Sequence, residues 1–228
     1  HLYSTQHRFI EAKELLEKSY AEPSNKHETE LMLFDVYMEL GEYHKADIML
    51  GKVKNINDFN YLIRLAKWND HNGKLEAAIR DLENAKKKVD SRKNKQLQIW
   101  VYTNLADFYG HAGDIKGSYN LYLKTLQLQP DNAYAKKKIA WIAYSFEKNT
   151  KEAHKILDAI MLDHKIPDYY LFKAELAAFE GNSFESNRQQ EKFIQAVSNE
   201  NYGTMYTSHL IKIYSETQPK KALELAMK

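Results

Sequence analysis

The sequence has no cysteine, and only four prolines and eight glycines in 228 residues. Without cysteine there is no disulfide framework, no thiolate zinc site and no cysteine nucleophile. So few backbone breakers leave little room for long loops. No stretch approaches the ~18 to 20 consecutive apolar residues of a membrane span. Nor does a basic-then-apolar leader open the chain. Charge of one sign is lacking too: 33 Lys and Arg against 31 Asp and Glu leave +2, too balanced for a strong nucleic-acid or membrane footprint. What remains is the composition of a soluble globular chain, 43% apolar and 28% charged, with a surplus of 16 tyrosines.

The scarce breakers are regularly placed. Gly41, Gly73, Gly113 and Gly181 each end a segment of helical period, and another such segment follows within a few residues. Pro23 and Pro130 follow helical runs, Pro167 precedes one, and Pro219 lies in a short gap between two. Proline costs about 3 kcal/mol inside a helix, so these positions mark helix boundaries. Between the marks, apolar residues recur at three and four, as in Leu33, Val36, Tyr37 and Leu40, or Leu105, Phe108, Tyr109 and Ala112. No segment shows sustained alternation, so the chain reads as all-α.

It also reads as self-similar. A small residue falls early in the second helix of each pair, at Ala12, Ala46, Ala78, Ser118, Ala153 and Ala222. The separations are 34, 32, 40, 35 and 69, the last close to two periods. A period near 35 belongs to helix–turn–helix solenoids. The stretch Tyr102, Leu105, Ala106, Tyr109, then Gly113-Asp114, Ser118, Tyr122 and Pro130 resembles the tetratricopeptide repeat at almost every signature position. Weaker copies run in phase through Phe34 to Leu50, Leu62 to Leu82, Ile139 to Leu157, Tyr170 to Gly181, and Leu210 to Ala226.

The resemblance implies a right-handed α–α superhelix of about six repeats plus an N-terminal half repeat, one solenoid domain over residues 1–228. Small residues would let helices approach closely, and Tyr37, Tyr109, Tyr122 and Tyr214 would fill gaps between them. Departures are visible. Phe34 and Ile211 stand where the family places a small residue, which predicts wider or shifted packing. The second helix of the copy after Tyr170, near Phe184 to Val197, has no clear register, with Gln189, Gln190 and Glu191 where apolar residues are expected. Arg8–Tyr20 reads as a second helix without its first. The expectation is therefore an excised piece of a longer repeat protein, for which a missing leader says nothing.

Catalytic and metal-ligating patterns are not found. His154 and Asp158 are four apart and His164 follows, but there is no His-Glu-x-x-His and no third ligand at helical spacing. There is no nucleophile elbow, no phosphate-binding loop and no dinucleotide fingerprint. The reading is a non-enzyme, with no catalytic residue, metal or cofactor. A basic cluster of Lys86, Lys87, Lys88, Arg92, Lys93 and Lys95, offset by Asp90, coincides with the 40-residue spacing. It marks an extended helix or loop, with a solvated helix end preferred to a docking site.

In this family the first helices line a concave groove. Carrying that stripe onto this sequence selects Asp35, Met38 and Glu39, then Arg64, Lys67 and Asp70, then Asn104, Asp107 and His111. It continues through Lys137, Lys138, Trp141 and Tyr144. Such a mixed surface suits a protein or peptide partner, with Trp141 as its aromatic anchor unless it is buried between repeats. Some relatives grip a C-terminal carboxylate. The matching positions here are Ile63, Lys67, Asn104, Tyr134 and Lys138, of which only Asn104 agrees, which argues against that mode. The leading expectation is a binding scaffold; the rival is a peptide- or ligand-responsive sensor acting on a domain outside this chain. Asp35, Asp70 and Asp107 interrupt the basic stripe that nucleic acid would need. A monomer, or a weak oligomer through open solenoid ends, is expected. Zero cysteine fits a bacterial envelope protein, with the cytoplasm left open.

Overall fold

The computed structural model describes residues 3, 8–21, 26–92, 94–199 and 205–227, and among these every regular element is an α-helix. Pro23, Lys93 and the side chain of Arg92 lie outside the described part. Thirteen helices are described. The first, α1 (Phe9–Tyr20), precedes five helical hairpins: α2 (Lys26–Glu39) with α3 (Tyr43–Lys52), α4 (Phe59–His71) with α5 (Leu75–Arg92), α6 (Lys95–His111) with α7 (Ile115–Leu128), α8 (Ala133–Ser145) with α9 (Thr150–Asp163), and α10 (Asp168–Phe179) with α11 (Ser183–Asn199). A sixth hairpin joins α12 (Thr207–Thr217) to α13 (Pro219–Ala226). Two compact units result, His1–Asn132 and Ala133–Lys228. No described helix is long and apolar enough to cross a membrane.

Short polar side chains start many of these helices. Asp58, Asn94, Asp114, Asn149 and Asn182 each accept a bond from the backbone N–H three residues on, which satisfies a donor the first helical turn leaves open. At the turns inside the hairpins, Gly41, Gly73, Gly113 and Gly181 take φ of 73°, 71°, 82° and 76°. The N–H of the next residue then reaches back five residues, as from Glu42 to the Tyr37 carbonyl and from Asp114 to Tyr109. This is the Schellman closure, which glycine makes without steric cost.

The α8–α9 turn is one residue longer, and Lys148 occupies the left-handed position at φ 57°. Left-handed backbone costs a residue with a Cβ about 1–2 kcal/mol. Lys148→Gly is therefore expected to raise stability by about 1 kcal/mol in urea unfolding followed by circular dichroism. An unchanged or lower midpoint would mean that the bond from Lys148 Nζ to the Ser145 carbonyl, at 2.6 Å, outweighs the backbone strain.

All six small residues that set the sequence period are buried: Ala12, Ala46, Ala78, Ser118, Ala153 and Ala222. The copy without a clear register is resolved by Ser186. It is buried too, and it donates to the Ala174 carbonyl of its partner helix. It divides the 69-residue interval into 33 and 36. Gln189 is buried on the same helix, its amide donating to Glu185 at 2.6 Å, while Phe193 supplies the apolar contact one turn on. Phe34 is fully buried in a cluster with Tyr37, Met49, Leu50 and Tyr61.

Tyrosine–carboxylate bonds bolt some second helices to the first helix that follows. Tyr37 donates to Glu17 at 2.9 Å and Tyr109 to Glu83 at 2.7 Å. The two acids hold one register position, five residues after Ala12 and Ala78. Tyr102 adds a bond to Asp90 at 2.6 Å. Five residues after Ala46 stands Gly51, and the tyrosine position of α4 holds Asn69, which turns to Asp81 at 2.7 Å instead. Among the described residues no hydrogen bond joins α3 to α4; their joint rests on apolar contacts of Tyr61, Leu65 and Trp68 and on the rings of Tyr43 and His71, 3.9 Å apart.

Candidate functional site

The turn glycine sets a common register for the first helices. Seven residues before it lie Phe34, Ala66, Ala106 and Ala174; at the longer fourth turn Ala140 takes the same place. One residue further along each helix come Asp35, Lys67, Asp107, Trp141 and Glu175. These positions divide between the two units, and each unit presents a different chemistry.

In the first unit the charges largely satisfy one another. Arg64 on α4 places Nη2 2.5 Å from Asp35 Oδ2 on α2, while its Nε and Nη1 donate to the carbonyls of Leu31 and Asn60 at 3.0 Å. Lys67 reaches Glu39 at 2.6 Å. The exposed Lys67–Glu39 pair contributes about 0–1 kcal/mol, whereas Arg64–Asp35 is part-buried, and burial raises the Asp35 pKa. Asp107 accepts the hydroxyl of the core residue Tyr122 at 2.6 Å, which ties it to its own hairpin. Asn104 donates to the Trp100 carbonyl at 2.7 Å. Asp70 is half-buried on α4, and His111 is exposed near the turn, its ring 6.4 Å from that of Phe108. Met38 is buried in the core and does not line the surface.

In the second unit the corresponding stripe is aromatic. Trp141 is 44% exposed, not buried between repeats. One turn along α8, Tyr144 meets Phe179 of α10 edge-on at 5.2 Å and Phe172 at 6.1 Å. Phe179 is itself 50% exposed. Burial, and then Glu175, push the Tyr144 hydroxyl above the ordinary tyrosine range, so it stays a neutral donor. Cations rim the patch: Lys148 lies over the Phe179 ring at 5.6 Å, and Lys137 and Lys138 lie over Tyr134 at 5.8 and 5.3 Å. Lys137 also approaches Asp168 at 3.7 Å.

Phe179 is the surface residue that sequence reasoning missed. It stands five residues after Ala174, the place that Glu39 and His111 hold after Phe34 and Ala106, so the register contained the signal. Of the histidines, His154 lies 3.4 Å from Glu180, the residue at the C-terminal cap of α10. No group of three or more side chains able to hold a metal ion occurs among the described residues.

Comparison with known proteins separates fold from ancestry. No family model matches the chain, and the search of curated proteins finds no match. Solved structures do match over most of its length. PilF of Pseudomonas aeruginosa is 15% identical, with a TM-score of 0.61 over 91% of this chain and 92% of its own. PilW, a type IV pilus biogenesis factor, is 12% identical, with a TM-score of 0.66 over 88% and 91%. BtubC from P. vanneervenii is 14% identical, with a TM-score of 0.62 over 87% and 90%. Likeness at these identities is likeness of fold: the chain is an α-solenoid of tetratricopeptide-type helical hairpins.

Proposed function

We propose that this chain is a non-catalytic scaffold that binds a protein or peptide partner on its first helices, above all those of the second unit. The aromatic patch of the second unit is the anchor. The observation that carries this reading is the exposure of Trp141 and Phe179 around Tyr144. Grouped exposed aromatics mark recognition surfaces, and a few such anchors supply most of the binding energy. Lys138 and Lys148 at the rim favour a partner with acidic residues beside its apolar ones. In the first unit, Arg64 and Lys67 are already paired, so that face adds complementarity rather than an anchor. The likeness to PilW, named for pilus biogenesis, fits work carried out through protein contacts.

The test is affinity capture from the native organism with the purified chain as bait. Trp141→Ala should weaken the principal captured partner about thirtyfold or more, the effect of losing a hot spot of at least 2 kcal/mol. Lys67→Glu should change it far less, because it breaks a single exposed pair. Trp100→Ala, which removes a tryptophan 41% exposed at the start of α6, serves as the control. A captured set indifferent to Trp141→Ala would end this reading.

A further inference from the structure

Two consecutive second helices of the first unit are badly matched in length. The α3 helix has 10 residues and α5 has 18. At 1.5 Å per residue, α5 runs about 12 Å further. The chain leaves α3 through residues 53–58, whose Ile56 is 67% exposed. A cleft of about 510 Å³ opens between that loop, α4 and α5. It is separate from the first-helix surface described above and shares none of its residues.

The walls of this cleft differ in chemistry. Leu62 and Leu65 of α4 give it an apolar floor, with Ile56 at the rim. Lys87 and Lys88 line the α5 side. Their neighbour Lys86 is paired with Asp90 at 2.9 Å, but neither the Lys87 nor the Lys88 ammonium has an ion-pair or hydrogen-bond partner among the described residues; the Lys88 carbonyl accepts from the hydroxyl of Ser91, which also lines the cleft. The amides of Asn57 and Asn84 complete the wall. Asp81, the one carboxylate lining the cleft, is buried and holds the Asn69 amide at 2.7 Å. Burial raises its pKa, and the Asn69 amide and Arg80 work against that rise.

We infer that this cleft docks a short acidic segment of a partner protein. An apolar side chain of that segment rests on Leu62 and Leu65. The neighbouring carboxylate lies between Lys87 and Lys88, and Asn57 and Asn84 hydrogen-bond its backbone. Charge complementarity selects the occupant, since two unpaired cations above an apolar floor match an acid placed beside an apolar residue. The volume lies within the 300–1,000 Å³ of ordinary ligand sites.

Fluorescence anisotropy of the intact chain with a fluorescein-labelled peptide of alternating leucine and glutamate tests this. Saturable binding is expected, weakened about tenfold or more by Lys87→Glu with Lys88→Glu, a loss of about 1.4 kcal/mol. Ile56→Ser, in an exposed loop that can change without loss of fold, should weaken it less. Trp141→Ala should leave it unchanged, which keeps this site distinct from the anchor proposed above. Four outcomes would each overturn the inference: no saturable binding, equal affinity in the double lysine variant, equal affinity for an all-glutamate peptide, or equal affinity for a peptide with lysine replacing glutamate.

Discussion

Phe34→Ala should destabilise the first unit by about 3–5 kcal/mol, although alanine is what the register favours there. Ala66, Ala106, Ala140 and Ala174 hold the equivalent place in the other hairpins, all buried. Repeat averaging would rank Phe34 as an error to correct. The packing says otherwise: the ring is fully buried within the cluster of Leu33, Tyr37, Met49 and Leu50. Truncation removes the transfer free energy of the ring and leaves a cavity that neighbouring helices fill only partly. Against a total stability of roughly 5–15 kcal/mol, urea unfolding followed by circular dichroism should show a large fall in midpoint. A loss below about 1 kcal/mol would mean that α2 closes onto its neighbours once the ring is gone.

The second large effect is expected in alkali. The hydroxyls of Tyr102, Tyr109 and Tyr169 are each pushed up to about 12 from the usual 10, first by burial and then by a neighbouring carboxylate. Tyr37, buried and bonded to Glu17, is raised further. A raised pKa means the folded chain keeps a proton that the unfolded chain releases near pH 10. The stabilisation is therefore complete below pH 10 and is lost as pH climbs towards 12. Each such tyrosine removes at most about 1.4 kcal/mol per pH unit across that window. Helicity should collapse cooperatively there, with a late step in phenolate absorbance. Tyr102→Phe and Tyr109→Phe should each make the collapse shallower. Smooth ionisation of every tyrosine near pH 10, with helicity intact, would contradict the role given to these bonds.

Much of the fold is legible because few local rules generate it. A glycine able to take positive φ, a small residue at the close approach of two helices, and Asn or Asp at a helix start each have one physical reason and recur in phase. The second helix after Gly181 escaped because one of its buried positions is Gln189, where the pattern calls for an apolar residue. Ser186 bonds to the Ala174 carbonyl and the Gln189 amide N–H to Glu185, while Gln189 Oε1 is buried without a partner; no periodicity displays such bonds. The surface was legible as a stripe of positions but not as a set of free groups. Asp35 and Arg64 lie 29 residues apart, and nothing along the chain announces that they neutralise each other. The cleft beside α5 was hidden for a related reason. The unusual spacing after Ala78 pointed to an extended helix or loop, but an opening appears only when the long α5 is set beside a short α3.

The unbolted joint between α3 and α4 also has a mechanical meaning. On its first-helix side, Arg64 ties α4 to α2 through Asp35 and the Leu31 carbonyl, and Lys67 adds a second tie through Glu39. On its second-helix side, Gly51 and Asn69 stand where the neighbouring joints carry acid and tyrosine. A joint hydrogen-bonded along one edge and held along the other only by apolar and ring contacts is a hinge. Under tension the first unit should yield here first, pivoting on Arg64, while the α1–α2 and α5–α6 joints move as rigid plates.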